Sequence, residues 1–470
     1  MRATDYLKGV LYEGEKRCKV KKSGFDGIDR SRTFDSGALA DAVNIDTSFL
    51  PALRSARGEK LLIGANGGAP LGALAYGDAI FTVYKKDGKI MATRAYNGKS
   101  ETAVLSDNGE DDRLRCIVAF NRYSSPMDPL SGEYEKLLLV FPDKKCCLAE
   151  GDGPLSFENI SASPMPDIRY ATVHMSRVFG VDGDRVYASA FNDCSNWELD
   201  TASDIGAENA WATTSQSNTR AIGGFSAVAC CDGYAVCFRD DFMQQVYNNK
   251  NPFRLVDIGS WGCIDGYSHT QFASALAFAS RSGVWLYSGG YPRLISEKLQ
   301  IKDYSGARIA GNDKHLYLYI PKENRVYVYE NTSDSWGERD VKNVSLLISN
   351  GKRVLAVKRD MTITELDAGF YGDFCAETDF MSLGVQNPKM LKGVAATAEL
   401  GEDSELFVSV VYSGGEACAV QSSSPGLQVL RSAIKVSRDD FAKIKIYGKG
   451  KVDVFGLSLS FAYEDSAGGM

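Results

Sequence analysis

Paired carboxylates are the first residues in this sequence that could do chemistry. A glycosidase needs two carboxyl groups on opposite sides of a substrate cleft, one acting as acid and one as base or nucleophile. The candidate carboxylates are Asp111, Asp112, Asp182, Asp184, Asp240 and Asp241. Most of them occur in turn-like contexts, where such groups usually cap a turn or meet solvent. We therefore expect no catalytic residues and predict that the protein is not an enzyme.

Nucleophile and metal-ligand patterns are equally sparse. Ser268 and His269 are adjacent, so on a strand they would point to opposite faces and would make a poor nucleophile–base pair. The 11 cysteines show no C-x-x-C spacing, and the chain has only three histidines. These counts favour buried, reduced thiols and disfavour a zinc site. We expect no metal and no cofactor.

Five cations stand within seven residues near the start of the chain: Lys16, Arg17, Lys19, Lys21 and Lys22. Such a cluster could contact DNA phosphate or the acidic face of a neighbouring subunit. The alternative is a solvated strand edge that its lysines protect from aggregation. We take these five residues as candidate interaction residues.

The tryptophans also have two interpretations. Trp197, Trp261, Trp285 and Trp336 could form a sugar-stacking surface, but large aromatic residues near strand ends more often fill gaps between packed sheets. We expect these four side chains to be in the core.

Composition narrows the fold class. The 470 residues include 46 Gly, 23 Tyr and 22 Phe but only 13 Pro, a balance typical of tight turns between aromatic-rich strands. The formal net charge of -7 excludes a broad polyanion-binding surface. No run of 18 apolar residues occurs and the N-terminal stretch is charged, so we expect neither a membrane span nor a secretion signal.

Alternation with a period of two predicts strands along most of the chain. Clear examples are Ile80–Tyr84, Arg185–Ala188, His315–Tyr319 and Arg325–Tyr329. Dipeptides such as Asp87–Gly88 and Asn350–Gly351 between strands indicate hairpin turns. The best helical candidates, Ser36–Val43 and Ser296–Ile301, are only one or two turns long.

Strands at this spacing over about 300 residues favour a propeller over one ordinary sandwich. After residue 372 the aromatic density falls, and short alternating strands predict a separate β-sandwich. Residues 1–57 contain few pairs of apolar residues. We therefore predict an all-β chain with an extended N-terminal arm (1–57), an irregular β-propeller (58–372) and a C-terminal β-sandwich (373–470).

Several segments, in this order, resemble phage virion β-propeller proteins of the packaged-DNA stabilisation and tail-hub type of short-tailed phages. They are Gly27–Asp29, Ala40–Asp46, Leu53–Gly58, Arg177–Ser189 with Asn196–Trp197, Asp232–Phe238 with Gln245–Tyr247, Gly262–Ile264 with Ser268, Ala277–Trp285, and Gly289–Ser296. Each segment alone reflects only the residue preferences of strands and turns. Their shared order along one chain makes the resemblance more specific.

The resemblance implies a structural component of a bacteriophage particle, assembled in the bacterial host cytoplasm. Such a tail or neck protein would bind other tail, neck or portal proteins, form a homo-oligomeric ring, and close or extend the DNA conduit, with a passing contact to DNA. The alternative is a receptor- or glycan-binding tail component. Exposed aromatic and carboxylate groups converging in one cleft would favour that alternative.

Overall fold

The computed structural model describes most of the chain. The described residues are 8–12, 15–22, 24–31, 38–96, 98–106, 114–122, 134–140, 146–150, 155–160, 165–199, 206–213, 223–231, 233–248, 250–383, 387–434 and 438–464. They form strands and turns, with short 3-10 helices at Thr47–Phe49 and Glu297–Leu299. Within these ranges no helix is long and apolar enough to cross a membrane.

The N-terminal part contributes five strands that join sheets built mainly by later residues. They are β1 (Lys8–Tyr12), β2 (Glu15–Lys22), β3 (Leu39–Val43), β4 (Leu53–Arg54) and β5 (Lys60–Ile63). The first four lie within the predicted arm (1–57), whose buried residues, such as Leu39 and Leu53, share one cluster with residues of the sandwich and the propeller.

Four-stranded antiparallel blades follow along the chain. Blade one contains β6 (Ala69–Tyr76), β7 (Ala79–Lys86), β8 (Lys89–Tyr96) and β9 (Lys99–Ser106); blade two contains β10 (Cys116–Arg122), β11 (Tyr134–Val140), β12 (Cys146–Glu150) and β13 (Glu158–Ile160); blade three contains β14 (Tyr170–His174), β15 (Arg177–Asp182), β16 (Arg185–Ala188) and β17 (Trp211–Ala212). Blade four contains β18 (Phe225–Cys231), β19 (Tyr234–Arg239), β20 (Met243–Tyr247) and β21 (Arg254–Gly259); blade five contains β22 (His269–Phe272), β23 (Ala275–Ser280), β24 (Gly283–Tyr287) and β25 (Arg293–Leu294).

Two more blades complete the ring. Blade six contains β26 (Arg308–Gly311), β27 (His315–Ile320), β28 (Arg325–Glu330) and β29 (Ser335–Arg339), and blade seven contains β30 (Val344–Ser349), β31 (Val354–Lys358), β32 (Ile363–Glu365) and β5. The described residues therefore form seven blades. The first strand of each blade contacts the first strand of the next, including β30 of blade seven with β6 of blade one. The chain is an irregular β-propeller with a closed ring.

The ring is closed by strand exchange between distant parts of the sequence. β5 pairs antiparallel with β32, with Ile63 opposite Ile363 and Leu61 opposite Thr364. A strand from before blade one thus completes blade seven. Because blades pack on both faces, their middle strands are apolar on both faces, as in β15, where Val178, Phe179 and Val181 are all fully buried.

The remaining strands build the C-terminal β-sandwich. They are β33 (Asp373–Thr378), β34 (Lys389–Leu400), β35 (Glu405–Tyr412), β36 (Gly415–Ser422), β37 (Gly426–Ala433), β38 (Lys443–Lys449) and β39 (Val452–Glu464). One sheet has the order β1-β2-β39-β34-β37, with β4 also on β39. In the other, β3-β33-β38-β35-β36 continue from β29 of blade six, so that blade six and this sandwich sheet form one nine-stranded sheet. Alternate residues such as Val394, Leu406, Ile446 and Phe461 form one buried cluster between the sheets.

The two short helical candidates resolve differently. Leu39–Val43 of the first candidate is strand β3, because it pairs antiparallel with β33 and touches β29 of blade six through Val43 and Glu338. Tertiary strand pairing here overrides local helical preference. The second candidate contains only the 3-10 turn at Glu297–Leu299.

Candidate functional site

The basic cluster lies on β2, in the interior of one sandwich sheet. β2 is hydrogen-bonded to β1 on one side and to β39 on the other, with Lys19 opposite Ser460 and Lys21 opposite Ser458. Cys18 is buried and Val20 packs against the sandwich core, whereas Lys19 and Lys21 are exposed. The side chains of the other three candidates, Lys16, Arg17 and Lys22, lie outside the described residues.

Strand register places the two lysines at the border of a face with small side chains. Across from Lys21 the row continues through Ser458 and Ala395 to Arg431 on β37. The next rows contribute Ser460 and Gly393, Gly456 and Thr397, and the exposed side chain of Val429. We call this surface the outer sandwich face and define it by Lys19, Lys21, Ala395, Thr397, Val429, Arg431, Ser458 and Ser460. It places small, partly exposed side chains between cations on two sides.

Arg30 anchors the arm to blade six. Its guanidinium donates to Asp41 Oδ1 at 2.8 Å and to the Tyr327 hydroxyl at 3.0 Å, and it lies 3.4 Å from Glu338 Oε2. Burial opposes the charged form, but the hydrogen bonds with Tyr327 and Asp41 raise the pKa of Arg30 above its ordinary value. Ile28 N also donates to Trp336 O at 2.8 Å. The arm is therefore held by charge as well as by backbone pairing.

A buried ion pair joins blade six, the arm and the segment that leads into the sandwich. Arg339 Nε lies 2.6 Å from Asp367 Oδ1, Arg339 Nη1 donates to Ile45 O at 2.8 Å, and the Tyr317 hydroxyl donates to Asp367 Oδ2 at 2.7 Å. Burial raises the pKa of Asp367, but the charge and hydrogen bonds of Arg339 outweigh it and leave that pKa below the usual range. These contacts hold the arm and the segment after β32 against blade six.

A second anchor ties β4 to β39. Arg54 makes a bidentate contact with Asp453, both distances being 2.6 Å, and its guanidinium stacks 3.4 Å from the centre of the Phe49 ring. Bidentate arginine–carboxylate pairs fix geometry as well as charge. The outer sandwich face is consequently a rigid part of the molecule.

Sequence reasoning missed a polar cluster on the inner strands of the propeller. Asp265 Oδ2 lies 2.7 Å from Arg308 Nη1, and the guanidinium of Arg308 lies over the Tyr267 ring. Ser268 donates to Ala307 O at 2.7 Å, so its hydroxyl is engaged away from His269. Burial lowers the pKa of His269 to about 4, which leaves the ring neutral at pH 7. No local motif marks this cluster, because its members come from consecutive blades.

A thiol and an imidazole also meet between blades three and four. Cys230 Sγ lies 3.5 Å from His174 Nδ1, and burial lowers the pKa of His174. The two residues are 56 positions apart and belong to β18 and β14, so spacing in the sequence gives no signal. Among the described residues no group of three His, Cys, Asp or Glu side chains could hold a metal ion.

Two of the carboxylates singled out in the sequence form ion pairs, on separate blades. Asp182 lies 3.3 Å from Arg169 on blade three, and Asp240 lies 2.9 Å from Arg281, which joins blades four and five. Asp111 and Asp112 lie outside the described residues. The tryptophans divide: Trp197 and Trp336 are buried, whereas Trp261 and Trp285 are half-buried and contact each other at 6.4 Å between ring centres.

Comparison with known proteins gives matches in structure only. No family model matches the chain, and no curated protein matches it. Among solved structures, an exo-β-1,3-galactanase from Phanerochaete chrysosporium bound to β-1,3-galactotriose is similar at 9% identity, 86% coverage of this chain, 99% coverage of that chain and a TM-score of 0.29. A second complex of the enzyme with this trisaccharide gives 9%, 86%, 100% and 0.31, and its galactose complex gives 10%, 86%, 100% and 0.26.

These matches correct one expectation from the sequence. We predicted that the protein is not an enzyme, and that exclusion is wrong, because the matched structures are glycoside hydrolases. Carboxylates in turns had been interpreted by their local context, which does not report what a propeller brings together in space. The likeness concerns the fold, and it assigns no activity or substrate to this chain.

Proposed function

We propose that this chain is a structural component of a bacteriophage particle, a tail or neck protein that binds neighbouring subunits and closes or extends the DNA conduit. The proposal is supported by the sequence segments that resemble those of phage virion propellers and occur in the same order along the chain. The single structural observation that carries it is the outer sandwich face, where small, partly exposed side chains lie between the exposed cations Lys19, Lys21 and Arg431.

The chemistry of that face suits an acidic protein surface. Small residues such as Ala395 and Ser458 let a partner backbone approach closely, while Lys19, Lys21 and Arg431 supply charge at the borders. Border charges of this kind set the rate and specificity of docking more than the final affinity. Neighbouring copies of this chain, which carries a net charge of -7, are suitable partners in a ring.

The rigid anchors explain how docking at the sandwich would position the propeller. The pairs Arg339–Asp367 and Arg54–Asp453 tie blade six, the arm and the sandwich together. A partner bound at the outer sandwich face would therefore orient the whole ring of blades. Because β2 is paired with neighbours along its length, this docking surface is part of the folded sheet.

The test is a charge reversal with a matched control. The double variant Lys19→Glu/Lys21→Glu should fold like the wild-type protein, because both side chains are exposed, but should be depleted from particles by about tenfold or more. The control, Lys314→Glu/Lys352→Glu, changes the net charge equally at exposed turns of blades six and seven. Occupancy is measured by quantitative mass spectrometry of purified particles.

Wild-type occupancy of the Lys19→Glu/Lys21→Glu protein would contradict docking through this face. Equal depletion of both double variants would attribute the effect to net charge and would also contradict it. Absence of the wild-type chain itself from purified particles would overturn the virion function altogether.

A further inference from the structure

Blade four exposes two tyrosines at the end of its middle strands. Ala235 pairs with Val246, so Tyr234 and Tyr247 follow as the next opposing positions of β19 and β20. Their exposed fractions are 39% and 59%. They share a strand face with Val236, which is packed against Leu276 and Phe278 of blade five. Both rings therefore lie at the entrance to the junction between blades four and five.

A cavity of about 720 Å³ lies beside these rings. The side chains of Gln245, Asn248, Lys250 and Asn251 line it together with the two tyrosines. Amides outnumber charges there, so the cavity offers hydrogen-bond donors and acceptors without a strong field. Its size falls in the range of small-molecule sites.

Asn251 supplies an acceptor that the protein leaves unused. The residue is only 4% exposed, and its Nδ2 faces the carbonyl oxygens of Gly206, Asn209 and Ala210 of blade three at 3.4–3.5 Å. Its Oδ1 is buried and has no hydrogen-bond partner in the described part of the chain. A buried amide oxygen without a partner is destabilising, so a ligand hydroxyl that reached it from the cavity through a small side-chain movement would be favoured.

Further aromatic surface lies toward the other end of this face of blade four. Val256, 47% exposed, is opposite Gln245 on β21. Beyond it, Trp261 contacts Tyr291 of blade five at 5.8 Å between ring centres, and Tyr291 is 85% exposed. Trp261 folds back over Gly259, where an added Cβ would lie 2.5 Å from the indole ring. The aromatic groove, defined by Tyr234, Tyr247, Val256, Trp261 and Tyr291, thus has fixed and exposed rings.

We propose that the aromatic groove binds a neutral saccharide chain, with the amide of Asn251 accepting a hydrogen bond from a sugar hydroxyl. Aromatic rings offer flat apolar faces to the C–H groups of a pyranose, while neighbouring amides satisfy its hydroxyls. A polyanion would need several converging cations, but only Lys250 and Arg254 occur among the described residues here. The inference is independent of the proposed docking through the outer sandwich face.

The experiment uses the full-length protein on an array that contains maltohexaose, cellohexaose, chitohexaose and purified bacterial surface polysaccharides. We expect saturable binding to at least one neutral glycan, with a change in tryptophan fluorescence on titration. Tyr247→Ala and Tyr291→Ala should each weaken binding by about tenfold. Both side chains are exposed, so both variants should unfold at the same urea concentration as the wild-type protein.

The matched control is Tyr96→Ala, which removes a tyrosine that is 51% exposed on blade one, and it should bind like the wild-type protein. Binding of no glycan on the array would overturn the proposal. Three further outcomes would also overturn it. Glycan binding could be unchanged in both Tyr247→Ala and Tyr291→Ala, or it could be equally weakened in Tyr96→Ala. An oligonucleotide or an unstructured peptide could also compete with the glycan for binding. The occupancy of Tyr247→Ala and Tyr291→Ala in purified particles is measured separately. A loss of glycan binding can then be told apart from a loss of docking through the outer sandwich face.

Discussion

Blades six and four are built from the same strand pattern but use tyrosine in opposite ways. In blade six, Tyr317, Tyr319, Tyr327 and Tyr329 are all at most 1% exposed. Each hydroxyl is bonded, for example Tyr317 to Asp367 at 2.7 Å and Tyr329 to Asp334 at 2.6 Å. In blade four, Tyr234 and Tyr247 are open to solvent.

The difference follows from what covers each blade. Tyr327 and Tyr329 of blade six lie in one buried cluster with residues of the arm and the sandwich, whereas Tyr317 and Tyr319 pack against blade seven. Tyr234 and Tyr247 of blade four stand at strand ends, where neither the arm nor the sandwich covers them in the described part of the chain. The aromatic rings of blade six therefore stabilise the molecule, whereas those of blade four leave a surface that the proposed saccharide could contact.

The largest expected effect comes from breaking the covered side of the comparison. Asp367→Asn leaves the Arg339 guanidinium, 4% exposed, without its counter-charge, and should lower the free energy of unfolding by about 3–5 kcal/mol. Urea unfolding measures the change. The control Asp240→Asn, which breaks the exposed pair with Arg281, should change the free energy by no more than about 1 kcal/mol. Similar losses in both variants would contradict the anchoring role.

Crowding the contact between the arm and blade six should lower the free energy of unfolding by less than Asp367→Asn does. A Cβ at Gly27 would lie 2.7 Å from both Ser335 Cβ and Trp336 O, so Gly27→Ala should destabilise the protein by about 1–3 kcal/mol. At Gly64 an added Cβ meets nothing within 4 Å, so Gly64→Ala serves as the control. Thermal unfolding compares the two variants. Equal melting temperatures would mean that the arm does not press on blade six as described.

Acidification should destabilise the protein through His269, a partly buried histidine on the first strand of blade five. The pKa of His269 is lowered to about 4 in the folded chain. The unfolded chain therefore binds a proton at this side chain below about pH 6.5, whereas the folded chain binds it only near pH 4. Stability from this group is therefore lost as pH falls from about 6.5 to about 4. Between pH 7.5 and pH 5 the loss should be about 2 kcal/mol, and His269→Gln should remove it. An unchanged pH dependence in His269→Gln would contradict the burial of a neutral ring.

The smallest effects compare single hydroxyl groups on the two blades. Tyr327→Phe removes a hydroxyl that accepts from Arg30 and donates to Glu323, and should cost about 1–1.5 kcal/mol. Tyr247→Phe, at an exposed position, should stay within about 0.5 kcal/mol of the wild-type protein. The urea concentrations at the unfolding midpoints of the two variants measure these changes. Equal costs would show that the two blades do not differ in how they use tyrosine.

Local patterns predicted much of the fold. The alternating segments at His315–Tyr319 and Arg325–Tyr329 lie in strands β27 and β28, and Arg185–Ala188 is β16. Asp87–Gly88 forms a turn with positive φ at both residues, as the dipeptide indicates. Period and turn chemistry are local properties, so a single sequence contains them.

Long-range pairing could not be predicted in the same way. The completion of blade seven by β5 joins residues 300 positions apart, such as Ile63 and Ile363. The positions of Lys19 and Lys21 depend on pairing with Ser460 and Ser458, and the groove depends on rings from two blades. The charge cluster indicated which residues to follow, but its surroundings are set by strand partners far along the chain.

The central claim is that the outer sandwich face is buried when the chain is built into a particle. Acetylation footprinting of lysines, followed by mass spectrometry, compares the isolated protein with purified particles most directly. We predict that Lys19 and Lys21 are modified in the isolated protein and protected at least about tenfold in particles, while Lys314 and Lys352 are less protected in the same particles. Equal modification of Lys19 and Lys21 in both states would contradict the claim.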